Sequence, residues 1–82
     1  MKTLSAVKAL ENYKLQCIFD DGTKKVADIS VYLEAPAFVP LKQKDVFKKV
    51  SNKNYFVEWK EYEVDLSADT LWHIGVEMEQ NI

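Results

Sequence analysis

From Tyr13 to Asp20 the chain alternates: Tyr13, Leu15, Cys17 and Phe19 fall on one side, while Lys14, Gln16, Ile18 and Asp20 fall on the other. A period of two marks a half-buried strand. Residues 6–10, with Val7 and Leu10, predict a weaker strand upstream that turns at Glu11-Asn12, and residues 24–29 predict a third strand downstream. Between the second and third lies Asp20-Asp21-Gly22-Thr23. Glycine and aspartate tolerate the positive φ of a tight reversal, so this stretch predicts a β-hairpin. A calcium loop is a poor fit, because Lys24 and Lys25 stand where oxygen ligands are needed. A phosphate cradle needs more glycine and a helix start.

Further along, residues 30–34 predict one helical turn, capped by Asp28 or Ser30 and ended by Pro36. Two prolines then enclose Phe38 and Val39 in an apolar loop, expected to lie against the core or a partner. Residues 42–50 predict a short amphipathic helix with Val46, Phe47 and Val50 on one face and lysines opposite. A turn cluster at 51–54 precedes an aromatic, β-branched strand at 55–59. After Lys60-Glu61-Tyr62, Val64-Asp65-Leu66 continues extended. Ser67 is placed to cap a short helix with Asp69 at its positive end, Leu71, Trp72 and Ile74 as apolar contacts, and Gly75 as its stop. Residues 76–82 read as a frayed acidic end or an added edge strand. The order predicts an α+β domain: one small antiparallel sheet, a hairpin or meander at its start, covered by two or three short helices.

With 82 residues, 48% of them hydrophobic and 12% aromatic, the chain suits a single domain spanning 1–82 with a thin packed core. No segment approaches the roughly 18 apolar residues of a membrane span, and Met1-Lys2-Thr3-Leu4 is not followed by a signal-peptide core, so a cytoplasmic protein without membrane contact is expected. The single Cys17, at an alternating apolar position, reads as core. One histidine, His73, makes no conventional zinc site and reads as a surface or capping residue. Asp20, Asp21, Asp28, Asp65 and Asp69 sit in turns or caps where an aspartate has a structural task. No catalytic, cofactor-binding or metal-ligating residue is therefore nominated, and the chain is not expected to be an enzyme.

Charge is unevenly spread. Residues 42–53 carry Lys42, Lys44, Lys48, Lys49 and Lys53 against Asp45, a net +4, whereas residues 54–82 carry one lysine against seven acids, a net −6. The lysine segment is the candidate nucleic-acid surface, although all eleven basic residues are lysines and the bidentate base contacts of arginine are missing. A protein partner or a second copy is the stronger expectation. Its surface is expected at an exposed sheet edge, or around Phe38, Val39, Tyr55, Trp59 and Tyr62.

Taken in order, Val7, Tyr13, Leu15, Phe19-Asp20-Asp21-Gly22, Val26, Asp28-Ile29, Leu33, Phe38, Leu41, Phe47, Val50, Trp59 and the run from Val64 to Trp72 resemble the DUF2442 family, a small bacterial domain of unknown function. Where that family often has a Pro- and Gly-containing turn after its Trp, this chain has Lys60-Glu61-Tyr62-Glu63. The resemblance implies a compact α+β domain. In the family some members are fused to a helix-turn-helix domain, and many are encoded beside small partner proteins in a toxin-antitoxin-like arrangement. It supplies no catalytic residues. This chain ends where a DNA-binding extension would begin, so the resemblance implies a stand-alone partner-binding role, antitoxin-like or regulatory.

Overall fold

Leu4 opens the first strand, β1 (Leu4–Leu10), and its register against β2 (Lys14–Phe19) pairs Val7 with Cys17 and Ala9 with Leu15. The computed structural model describes residues 1–78. β3 (Lys24–Asp28) follows through the predicted hairpin, in which Gly22 adopts φ +89° and Asp21 accepts the N–H of Thr23 at 2.9 Å. Tyr13, Leu15, Cys17 and Phe19 all turn to the core, as the alternation requires. β1 is longer than expected because a bulge between Leu4 and Ala6 carries the pairing back to Leu4.

Two antiparallel sheets form where the pattern of strands suggested one. The larger has the order β1-β2-β3-β7, with β7 (Val76–Glu77) as the added edge strand; residues 79–82 of the expected terminal segment lie outside the described residues. The smaller is β4 (Ser51–Asn52), β5 (Phe56–Trp59) and β6 (Val64–Ser67), in that order. The turn expected at 51–54 is thus partly strand: Asn52 pairs with Val57, and its side-chain oxygen accepts the N–H of Asn54, which is left-handed at φ 74°. The sheets are stitched together at Leu4. Its N–H donates to the Asn54 carbonyl (2.7 Å), and its own carbonyl accepts from the Asn52 and Asn54 amides.

The helix expected over 42–50 is a single turn, α1 (Lys44–Phe47), preceded by a 3-10 run over Pro36–Lys42. Pro40 has no N–H to extend regular α-helix backward, and Ser51 already belongs to β4. Val46 and Phe47 are buried nonetheless. Asp28 caps the 3-10 turn Ile29–Tyr32 by accepting from Ser30 N–H, and Ser67 caps α2 (Ala68–Ile74) by accepting from Thr70 N–H. Gly75 ends α2 with φ −70°, so positive φ is not what it supplies. A Cβ there would stand 2.7 Å from the Leu71 carbonyl oxygen and 2.9 Å from Lys25 Cβ: the close passage of α2 over β3 needs a residue without a side chain. Sixteen buried apolar residues from both sheets, the 3-10 turns and both helices form one cluster.

Candidate functional site

The five residues nominated for a partner surface do not all come together; among the described residues only Trp59 and Tyr62 of the five share a cleft. Trp59 is a correction: it is 1% exposed, its indole N–H donates to the Phe47 carbonyl, and its ring stacks on Phe47. It alternates inward with Val57 along β5, and its one polar atom is satisfied inside, so it serves the core. Phe38 is half-buried and stacked on Tyr32 at 5.5 Å, leaving Val39 exposed beside it. Tyr55 and Tyr62 are exposed at opposite ends of β5. Tyr62 borders an apolar cleft of about 490 Å³ with Val46, Lys49, Trp59, Lys60 and Glu61. Tyr55 borders a shallower one of about 280 Å³ beside Phe56, Asp65, Ser67 and Asp69.

The lysine segment is partly neutralised by acids of the same chain. Lys42 pairs with Glu34 (3.3 Å), Lys49 with Glu61 (3.6 Å) and Lys53 with Glu58 (3.7 Å). Pairs this exposed add little stability, yet they cancel charge where a phosphate would dock. Lys44 and Lys48, one helical turn apart, meet no carboxylate among the described residues. Both line a cleft of about 350 Å³ with Phe47 on α1 and Ala9, Leu10, Glu11, Asn12 and Tyr13 across from it. Sequence reading placed the two lysines on a basic face but not beside the end of β1, because that neighbour is more than thirty residues away in the chain.

The carboxylates behave as structural groups. Asp20 accepts the Thr3 hydroxyl, Asp69 the Lys2 N–H at 2.6 Å, and Asp28 both the hydroxyl and the N–H of Ser30. The Ser30 hydroxyl and N–H hold the Asp28 carboxyl below the usual range, and the Thr23 N–H does the same for Asp21. His73 is exposed in the last turn of α2. Among the described residues no three His, Cys, Asp or Glu side chains converge as metal ligands would. Burial pushes the Cys17 thiol up to about 11.

Sequence reading also missed the outer face of the larger sheet. Ala6 opposes Ile18, Gln16 opposes Val26, and Val26 opposes Val76. None of these joins the core cluster, and Val76 is 72% exposed. Met78 reaches back over this face to within 3.3 Å of the Gln16 amide. β2, β3 and β7 each carry one apolar residue here, so the patch is invisible strand by strand.

Residues 4–77 match the family described as Protein of unknown function (DUF2442). The chain belongs to that family. Neither the curated proteins nor the solved structures gave a match. In this DUF2442 domain the departure after Trp59 has a definite form: Lys60–Tyr62 make a 3-10 turn closed by Glu63 in the left-handed region at φ 54°. No helix of the described residues is long and apolar enough to cross a membrane.

Proposed function

We propose that this DUF2442 domain is a non-enzymatic protein-binding module, the antitoxin-like or regulatory member of a two-gene pair. The observation that carries the reading is the outer face of the four-stranded sheet, where Val26 opposes Val76 in register and Ile18 lies diagonally across from Val26, all three outside the core. Apolar side chains grouped this way on a small domain mark a surface that another macromolecule covers. Tyr55 and Tyr62 add exposed aromatic anchors of the kind that dominate binding energy. Of the carboxylates that acid-base chemistry would need, Asp20, Asp21, Asp28 and Asp69 are already hydrogen-bonded within the chain. The pairing of three lysines with the chain's own acids leaves a nucleic-acid role to Lys44 and Lys48.

Co-expression of the tagged domain with the product of the adjacent reading frame tests the proposal. A retained partner whose binding shifts the methyl resonances of Ile18, Val26 or Val76 supports it. A monomer with no retained partner, or hydrolytic or transfer activity in the isolated domain, overturns it.

A further inference from the structure

The direction of each backbone polar group in the four-stranded sheet follows from its hairpin. The N–H of Phe19 donates to the Thr23 carbonyl at 2.8 Å, so Phe19, Cys17 and Leu15 direct their N–H and C=O groups toward β3. Lys14, Gln16 and Ile18 then direct theirs toward β1, where they oppose Leu10, Lys8 and Ala6. Val7 and Ala9 are left with N–H and C=O pointing away from the sheet. Among the described residues no backbone hydrogen bond reaches them from that side, and β1 is the outermost strand there.

This edge is only lightly protected. β1 contains no proline, its one bulge lies before Ala6, and Lys8 is its only charge. Among the described residues it is occupied at one end alone, where Asn52 and Asn54 hold Leu4. At the other end, Ala9 and Leu10 border the 350 Å³ cleft whose far wall is Lys44, Phe47 and Lys48. Of the five lysines between 42 and 53, the two without a carboxylate partner among the described residues are the two in this wall.

We infer that β1 takes an extended acidic segment of a protein partner as a fifth strand, hydrogen-bonded to Val7 and Ala9, with its carboxylates on Lys44 and Lys48. Main-chain pairing supplies the affinity of such an addition, and alternate side chains supply its selectivity. Val7 and Ala9 turn their side chains to the core that Phe47 shares, so one set of the added strand's side chains faces α1. Glu11, which also lines the cleft, repels an acid there, so the acidic positions lie over α1 and give way to neutral ones toward Glu11. The inference rests on the protein-binding reading and adds the chemistry of the partner to it.

The test uses the full chain, labelled with nitrogen-15, titrated with a short capped peptide alternating valine or threonine with glutamate, and with its lysine counterpart. The acidic peptide is expected to shift and protect from exchange the Val7 and Ala9 amides, and the lysine peptide is expected to leave them unmoved. The K44E/K48E pair should weaken binding about tenfold. Ala9→Pro should abolish it by removing an outward N–H that no strand among the described residues uses, with an unchanged spectrum for β2 and β3 showing that the fold survives. If Ala9→Pro unfolds the chain, Ala9→Thr, which keeps the N–H, and the lysine pair carry the comparison. Equal binding of both peptides, shifts confined to the Tyr62 cleft, or β1 protection that tracks protein concentration without peptide overturns the inference. The last result assigns the edge to a second copy. Retention of the adjacent gene's product with no change at Val7 or Ala9 also overturns it while leaving the protein-binding reading in place.

Discussion

Trp59 and Phe47 are joined twice: the indole N–H of Trp59 donates to the Phe47 carbonyl at 2.8 Å, and their rings stack with centroids 5.8 Å apart. The contact holds the single-turn helix α1 against β5, since a four-residue helix has almost no stability of its own. Tyr13 extends the cluster with an edge contact to Phe47 at 5.5 Å.

Trp59→Ala should therefore cost about 3–5 kcal/mol through the cavity it leaves. Trp59→Phe keeps most of the apolar volume but strips the donor from a buried carbonyl, at about 1–3 kcal/mol. Urea denaturation of both variants checks the order. A Trp59→Ala protein as stable as the parent would place the residue on the surface after all.

The two glycines should respond for different reasons. Gly75→Ala drives a methyl group to within 2.7 Å of the Leu71 carbonyl oxygen and should cost about 1–3 kcal/mol by overpacking. Around Gly22 nothing lies within 4 Å, so Gly22→Ala meets only the backbone strain of φ +89°, about 1–2 kcal/mol. Gly22→Asn should recover part of that loss and Gly75→Asn none, as read from thermal midpoints.

Glu63 carries the opposite expectation. It closes the 3-10 turn at φ 54° with an exposed side chain, so Glu63→Gly should raise stability by up to about 1 kcal/mol. A lower denaturation midpoint for that variant would refute the strain.

Cys17 is 0% exposed and its thiol is raised to about 11, so almost no thiolate is present at neutral pH. A thiol-specific reagent should modify the native chain only as fast as it opens, and the unfolded chain at once in denaturant. Rapid stoichiometric modification without denaturant would contradict the burial.

Asp28 predicts a response to acid. Its folded carboxyl is held below the ordinary range by Ser30, so it binds a proton less readily than in the unfolded chain. The cap's contribution is thus present above the unfolded aspartate value of about 3.9, and is lost as pH falls through the lower folded value. Asp21 contributes with the same sign. Asp28→Asn should flatten the acid limb of a melting-temperature profile, and Ser30→Ala should move the Asp28 midpoint upward in a carboxyl NMR titration.

Local signals were legible in the amino-acid order wherever the physical cause is local. The alternation at 13–19, the Asp21-Gly22 reversal, the Ser67 and Asp28 caps and the apolar pair Val46 and Phe47 all depend on neighbours within a few residues, and the structure has each of them. The candidate surface was legible only in part. Val39, Tyr55 and Tyr62 are exposed as expected, but aromatic character does not reveal which face of β5 Trp59 occupies.

What the tertiary structure decided is everything that depends on residues distant in the chain. The two sheets are joined where Leu4 is held by Asn52 and Asn54, some fifty positions away. Among the described residues three of the lysines between 42 and 53 are paired with acids and two are not, according to which acids the fold brings near. The open backbone at Val7 and Ala9 exists because β1 ends up at a rim, and the order of residues fixes a strand's two faces but not its neighbours. Pairing partners are chosen by the closure of the whole core, whose burial outweighs any local preference.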